Sequence, residues 1–159
     1  MGTTTFTGPL YVGSIIETTG SVLGSNVDNA GFVELVQSQA VTQAASTGQS
    51  AGVYLTNIVI PAGSIICSIE LYVTTAWTGT AKTVGIGTTA SATAITAAAA
   101  VDGSAIGRIV ASPGTDATRT TTWTNVGTTD IQIKLTSTNT GSGVGVLVVR
   151  YAQLSNTIS

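Results

Sequence analysis

Apolar and polar residues alternate most clearly over residues 53–75, which read VYLTNIVIPAGSIICSIELYVTT. In the second half of this stretch the apolar side chains recur at every second position, the period of a half-buried strand. Between the two halves, Pro61 and Gly63 stand at the second and fourth positions preferred in a type I turn. We therefore predict a β-hairpin that seeds the core. Its inward face is predicted to comprise Ile65, Cys67, Ile69, Leu71 and Val73.

A second hairpin is predicted near the end of the chain. Residues 131–136 alternate apolar and polar side chains, residues 139–143 are a loop of Asn, Thr, Gly and Ser, and residues 144–151 return as VGVLVVRY. Two such runs around a short glycine-containing loop are typical of a hairpin. Both faces of the returning run are apolar, so we expect a central strand or one that lies at a subunit interface.

Further segments extend this pattern. Residues 90–101 are rich in alanine and are predicted to form one short helical turn or a strand. About eight short strands separated by turns of Gly, Pro, Asn and Ser predict an all-β fold, a β-sandwich or jelly-roll-like domain over residues 32–159. The remaining predicted strands are 32–42, for which a helix is the alternative, 82–88, 106–111 and 119–125.

Residues 1–31 differ from the rest because glycine interrupts every short apolar run. Such spacing does not sustain a long strand or helix. The apolar content is nevertheless too high for a solvated tail. We predict an extended arm that becomes ordered by lying on the same domain, a sister subunit or another protein. Fully extended, the arm reaches on the order of 100 Å.

The chain carries few charges: 8% of its residues are charged and the formal net charge is −2. A surface of Thr, Ser and Gly permits close packing in an assembly. The Lys and Arg residues are scattered along the sequence, so we expect no nucleic-acid partner. No apolar run approaches the roughly 18 residues of a membrane helix, and residues 1–20 lack the form of a secretory signal. We therefore expect no membrane partner and no export.

Residue types that carry most enzyme chemistry are missing or dispersed. The chain has no histidine, which removes the commonest general base, the usual Ser and Cys triads and most catalytic zinc sites. The loop aspartates form no recognisable pair for glycoside hydrolysis and no calcium loop. We expect no enzyme activity, cofactor or metal, and a core position for the single cysteine, Cys67. The loop aspartates are Asp28, Asp102, Asp116 and Asp130.

The aromatic residues pose a choice between core and interface. Trp77 and Trp123 are flanked by threonine near predicted strand ends, where they either close the sandwich core or anchor an interface or stack on a sugar. Phe6 and Tyr11 lie in the arm, and for them we favour docking on a partner. The candidate contact residues are Phe6, Pro9, Leu10, Tyr11, Ile15, Ile16, Trp77, Trp123 and Tyr151.

The arm and the body each resemble small structural proteins of tailed bacteriophages, particularly those of cyanobacteria and other aquatic bacteria. Such proteins typically begin with T-T-F-x-G-P and later reach G-F-V with Gln soon after. The body, from residue 60 to 89, is similar to the family's I-P-A-G-S phrase followed by a strand and an I-G-T segment. The matching residues of the first phrase are Thr4, Thr5, Phe6, Gly8, Pro9, Gly31, Phe32 and Val33.

The resemblance implies a virion structural protein, most specifically a head decoration or cement protein that is made in the host cytoplasm and binds the outside of an icosahedral capsid. Such proteins commonly form trimers and clamp neighbouring major capsid subunits. The expected partners are therefore the major capsid protein and other copies of the chain. The alternative is a tail-fibre, head-fibre or receptor-binding module that contacts host glycans through Trp77, Trp123 and the loops near Asp102 and Asp116.

Overall fold

The computed structural model describes residues 33–153, in which eight strands and one helix form. The strands are β1 (Val33–Thr42), β2 (Val53–Ile60), β3 (Ile65–Thr75), β4 (Thr83–Thr88), β5 (Val101–Asp102), β6 (Gly107–Val110), β7 (Ile131–Ser137) and β8 (Val144–Gln153), and the helix is α1 (Ala117–Thr124). The all-β prediction is confirmed. The predicted arm, residues 1–31, lies outside the described residues, so its boundary stays a prediction.

The strands form two four-stranded sheets. Sheet 1 has the order β1-β8-β3-β6 and sheet 2 the order β2-β7-β4-β5. The sheets are those of one long two-stranded ribbon that has rolled up. The ribbon contains four pairs: β1 with β8, β2 with β7, β3 with β6, and β4 with β5. Rolling it up adds two more pairs, β3 with β8 and β4 with β7. This is the jelly-roll arrangement of two Greek keys.

The core fills the space between the two sheets. Period-two alternation places Val84 and Ile86 of β4 inward. β8 is a central strand between β1 and β3, which is one of the two positions predicted for it. The largest fully buried apolar side chains are Trp77, Ile60, Ile69, Leu71, Ile86, Ile95, Ile133, Leu135 and Leu147.

Both predicted hairpins are wrong in their pairing, although their strands exist. β2 and β3 belong to different sheets, and so do β7 and β8. Between β2 and β3, Ser64 N donates to Pro61 O at 3.3 Å and Gly63 has a φ of +72°, so glycine holds the third turn position and not the fourth. A strand with one apolar face alternates in the same way whether its partner is beside it or across the core, so the pattern could not separate the two cases.

Cys67 is exposed, which contradicts its predicted core position. Ile66 and Ser68 face consecutive residues of β8, so Cys67 between them is the extra residue of a β-bulge. The bulge reverses the alternation, and Ile66, which is 4% exposed, takes the inward position before it. The prediction that Ile65 and Cys67 share the inward face is therefore wrong.

The segment predicted as a strand at 119–125 belongs to helix α1. Asp116 caps this helix, because its side chain accepts a hydrogen bond from Arg119 N at 2.9 Å. Threonine hydroxyls then donate to carbonyls four residues earlier, as Thr121 does to Ala117 O at 2.8 Å. A local cap thus outweighs the strand preference of threonine. Within residues 33–153, no helix is long and apolar enough to span a membrane.

The alanine-rich segment 90–101 forms turns before Val101 and is neither a helix nor a strand there. It lies against the outer side of sheet 2. A Cβ atom on Gly87 would stand 2.4 Å from the carbonyl of Ala92, and one on Gly85 would stand 3.4 Å from Ala97 O. These two glycines therefore let another backbone come close to β4.

Candidate interaction surfaces

The outer face of sheet 1 exposes an apolar side chain on each of its four strands. Val36 of β1 is 53% exposed, Val110 of β6 55%, and Tyr72 of β3 and Val144 of β8 are each 37% exposed. Half-buried Val146 and Val148 of β8 lie between them. We call this surface the sheet 1 face. An apolar patch rimmed by polar residues is typical of an interaction surface.

An ion pair lies on the sheet 1 face. Arg108 Nε donates to Glu70 Oε2 at 2.8 Å and Arg108 Nη2 donates to Glu70 Oε1 at 2.7 Å, while Tyr72 OH donates to Glu70 Oε2 at 2.6 Å. The side chain of Glu70 is 7% exposed and that of Arg108 is 54% exposed. Only Arg108 is therefore accessible enough to meet a partner.

The hydrogen bonds fix the charge state of this cluster. The hydrogen bonds from Arg108 have the largest effect and the one from Tyr72 the next largest, and they lower the pKa of Glu70 to about 2. The same contacts with Glu70 raise the pKa of Arg108 and of Tyr72 above their ordinary values. The carboxylate stays ionised at neutral pH, so Glu70 holds Arg108 in place and does not exchange protons there.

Two glutamines close the side of the sandwich where β1 and β2, both edge strands, meet. Gln37 Nε2 donates to Val59 O at 2.6 Å, and Val59 N donates to Gln37 Oε1 at 3.2 Å. Asn57 N donates to Gln39 Oε1 at 2.7 Å. These side chains occupy the backbone groups that an added strand would use. A groove of about 410 Å³ opens here, lined by Gln37, Ser38, Gln39, Asn57 and Ile58.

At one end of the sandwich, Gln43 ties two loops to the end of β1. Its side chain is buried, its Nε2 donates to Thr78 O at 2.7 Å and to Asn139 O at 3.3 Å, and its Oε1 accepts from Thr78 N at 2.8 Å and from Gly143 N at 3.2 Å. Trp77 beside these loops is 1% exposed. The loops are therefore fixed by a buried amide and a core indole.

The candidate aromatic residues have different positions. Trp77 and Tyr151 lie in the core, so neither ring is at the surface. Trp123 is half-buried, and its Nε1 donates to Ile95 O at 2.9 Å. The contact role of these residues stays a prediction, as does that of the candidates outside the described residues, Phe6, Pro9, Leu10, Tyr11, Ile15 and Ile16.

The described loop aspartates have local structural partners. Asp116 caps α1, Asp130 Oδ1 accepts from Ala62 N at 2.9 Å, and Asp102 Oδ1 accepts from Ser104 N at 2.9 Å, a contact that lowers the pKa of Asp102. Among residues 33–153, no three His, Cys, Asp or Glu side chains come together as metal ligands. Turn and cap formation thus accounts for the positions of these three aspartates.

Sequence reasoning missed the Glu70 and Arg108 pair and the edge contacts of Gln37 and Gln39. A signal was present for each. Glu70 is a charge inside an apolar strand of a chain with few charges, and such a residue needs an opposite charge. Gln37 and Gln39 are two residues apart in a predicted strand and so share a face. Neither pattern identifies the partner strand.

Comparison with known proteins gives few matches. No protein-family model matches the chain, and no curated protein matches it. Among solved structures, the chain is similar to one in the cyanophage Pam1 capsid asymmetric unit, with 16% sequence identity and a TM-score of 0.39. The match covers 86% of this chain and 96% of that chain. We draw no conclusion from a similarity of this degree.

Proposed function

We propose that this chain is a non-enzymatic structural protein of a tailed-bacteriophage virion. It binds the outer surface of an icosahedral capsid as a trimer and stabilises the capsid by clamping neighbouring major capsid subunits. Its partners are then the major capsid protein and other copies of the chain. Each contact removes apolar surface from water at about 25 cal/mol per Å², and linked copies make simultaneous release rare.

The observation that carries the proposal is the phrase at residues 4–9, TTFTGP, and its resemblance to the opening of phage structural proteins. The second similar phrase, IPAGS, has a structural explanation in this fold. It is the turn between β2 and β3, where Gly63 N donates to Gly127 O at 2.8 Å and Val126 N donates to Ser64 O at 2.9 Å. The first phrase lies outside the described residues.

The described residues support an association role in two ways. The sheet 1 face exposes apolar side chains on four strands, and the charges on β3 and β6, those of Glu70 and Arg108, neutralise each other. The carboxylates of Asp102, Asp116 and Asp130 are engaged in turns and a helix cap. The sheet 1 face is therefore better suited to binding through burial of apolar surface than through charged groups.

Co-sedimentation with capsids that lack the protein tests the proposal. The full chain should bind saturably, in multiples of three copies per site. A variant with Phe6→Ser, Leu10→Ser and Tyr11→Ser, and a second that lacks residues 1–29, should lose binding. A matched control with Thr118→Ala and Thr121→Ala changes exposed side chains of α1 and should bind like the full chain.

Failure of the full chain to bind would contradict the proposal and would make glycan binding by a receptor-binding module the next measurement. We do not propose this alternative, because the structure does not favour glycan binding at Trp77 or at Trp123. Trp77 is 1% exposed, and Trp123 Nε1 is engaged by Ile95 O. Stacking of a sugar on Trp77 would require the core to open.

A further inference from the structure

The two open sides of the sandwich differ in how their edge strands are closed. On one side, Gln37 and Gln39 of β1 occupy backbone groups of β2. On the other side, β6 is the outer strand of sheet 1, and no side chain of residues 33–153 bonds to its backbone. Ile106, directly before β6, is 72% exposed, and Val110, the last residue of β6, is more than half exposed. The β6 edge is therefore open and carries apolar side chains.

The register of the ladder between β3 and β6 fixes which backbone groups of β6 point outward. Ala111 N donates to Ile69 O at 2.9 Å, so these two residues form a hydrogen-bonded pair. In an antiparallel ladder such pairs alternate with pairs that exchange no bonds, so Ile109 is the next residue that bonds to β3. The N–H and C=O groups of Arg108 and Val110 therefore point away from the sheet, where an added strand would bond to them.

We propose that the occupant of this edge is β6 of a second copy, paired antiparallel about a twofold axis at Ile109. This inference goes beyond the proposed function and does not depend on it. A twofold contact uses the same surface on both copies, so it cannot by itself build a trimer and would join copies of separate trimers. The axis is perpendicular to the sheet, so the two sheet 1 faces lie on the same side of one continuous sheet.

The spacing of the outward groups makes the β6 edge complementary to itself. Arg108 and Val110 lie one residue on either side of Ile109, so the twofold axis places Arg108 of one copy opposite Val110 of the other. Both residues direct their backbone groups outward, so each opposed pair exchanges two hydrogen bonds. No outward backbone group of β6 is then left without a partner.

The side chains at this edge suit the same pairing. Val110 of one copy lies beside the aliphatic part of Arg108 of the other, and burying both is favourable. Each Arg108 keeps its bonds of 2.8 Å and 2.7 Å to Glu70 of its own copy, so the contact brings two neutralised pairs together. The formal net charge of the chain is only −2, so two copies repel each other weakly. A second copy therefore adds no unpaired charge to the contact.

The length of the contact predicts that the pairing is weak in dilute solution. With a rise of about 3.3 Å per residue, β6 is about 13 Å long. Such a contact buries much less than the about 800 Å² per partner of a stable complex, so we expect a dissociation constant of about 100 µM or weaker. Where copies are held side by side, their high effective concentration makes the same contact persist.

Disulfide formation between copies of the full chain tests the register. In a Cys67→Ser background, Ile109→Cys places two thiols at the axis, where opposed residues that exchange no bonds have Cα atoms about 4.5 Å apart. Val110→Cys is the matched control, because its two copies are offset by two residues and their Cα atoms lie beyond the about 7 Å limit for a disulfide. Each variant is held at about 200 µM with oxidised glutathione, and the rate of dimer formation is measured by non-reducing electrophoresis.

We expect Ile109→Cys to form dimers about tenfold faster than Val110→Cys, although Val110 is the more exposed of the two residues. Random collision would give the opposite order, because the more accessible thiol reacts first. Adding Val110→Pro to Ile109→Cys removes an outward N–H and should abolish the preference, whereas adding Val110→Thr keeps that N–H and should retain it. Equal or reversed rates, or a preference that survives Val110→Pro, would overturn the proposal.

Hydrogen exchange of the original chain gives a second measurement if Ile109→Cys does not fold. From about 20 µM to about 1 mM protein, exchange of the Arg108 and Val110 amides should slow by about twofold or more. The Ile109 amide bonds to β3 within one copy, so its rate should not change. Unchanged rates at Arg108 and Val110 would overturn the proposal. No capsid is present in either experiment, so neither result affects the co-sedimentation test of the proposed function.

Discussion

Arg108 and Glu70 are joined across strands β6 and β3 by two hydrogen bonds of 2.8 Å and 2.7 Å, although they are not directly opposite each other. Glu70 stands opposite Val110, and Arg108 stands opposite Tyr72. The ion pair is therefore diagonal, and Tyr72 can donate to the same carboxylate. This arrangement adds side-chain contacts to the short backbone ladder of β6, the edge strand of sheet 1.

This pair predicts how stability depends on pH. The pKa of Glu70 is lowered from 4.5 to about 2 in the folded protein. Because the folded pKa lies below the unfolded one, the stabilisation is fully present above about pH 4.5 and is lost as the pH falls from 4.5 toward 2. We expect the urea midpoint of Glu70→Gln to change less over this range than that of the original chain.

Glu34 provides the matched control. It is an exposed glutamate on β1, so Glu34→Gln removes the same charge outside the cluster. The pH profile of this variant should follow that of the original chain. If both variants have the same profile, the pair does not stabilise the fold in the way its geometry indicates.

The bulge in β3 predicts that substitution of Ile66 reduces the stability of the fold much more than substitution of its neighbour Cys67. Ile66 is 4% exposed and faces the core, so Ile66→Ala should reduce the free energy of unfolding by about 2–4 kcal/mol. Cys67 is exposed, so Cys67→Ser should change it by less than about 0.5 kcal/mol. Urea titration of both variants makes the comparison. A large loss for Cys67→Ser and a small one for Ile66→Ala would mean that β3 alternates without a bulge.

The same strand shows how far the fold could be predicted from the sequence. Period-two alternation identifies β3 and its apolar face, because side-chain direction is a local property of the backbone. The alternation does not reveal the extra residue at Cys67, because the position of that residue depends on the neighbouring strand β8. For the same reason the alternation wrongly predicts that β2 pairs with β3, since the packing of the core decides which strands lie side by side.

The candidate surfaces were less predictable than the strands. Glu70 and Arg108 are far apart in sequence, and the sheet order β3-β6 that joins them follows from the rolled ribbon. Trp77 could be assigned only to core or interface, because flanking threonines do not distinguish the two. Local chemistry decided α1, where the Asp116 cap acts over three residues. Such a cap is readable in the sequence, and in the folded chain it outweighs the strand preference of threonine.

Packing around Trp77 predicts a sharp difference between two glycines. A Cβ atom on Gly143 would lie 2.5 Å from Cε3 and 2.8 Å from Cα of Trp77, and the Cα atom cannot move aside cheaply. Gly143→Ala should therefore lower the free energy of unfolding by about 1–3 kcal/mol. For Gly85→Ala the nearest atom is 3.4 Å away, and we expect a loss below about 1 kcal/mol.

Urea unfolding followed by Trp77 fluorescence measures this difference, with Trp123→Phe as the common background so that one indole reports. An equal cost at both glycines would show that the loop at Gly143 moves away from the indole. The indole would then be a less rigid part of the core than its 1% exposure indicates.

Gln37 predicts a protected edge on β2. Its side chain accepts from Val59 N at 3.2 Å and donates to Val59 O at 2.6 Å, as the backbone of a neighbouring strand would. Gln37→Ala should speed hydrogen exchange of the Val59 amide by about tenfold, because that amide then faces water. Gln37→Glu is the matched variant: it keeps an acceptor for Val59 N and loses the donor to Val59 O. Its Val59 amide should exchange at nearly the original rate.

The same substitution bears on self-association. Removing Gln37 frees both backbone groups of Val59, and an edge strand with free groups can pair with another copy. Sedimentation velocity of Gln37→Ala should therefore show larger species as concentration rises, in excess of those formed by the original chain. If exchange at Val59 rises without added association, Gln37 protects the amide, and the remaining contact of Gln39 with Asn57 N suffices to keep β2 from pairing.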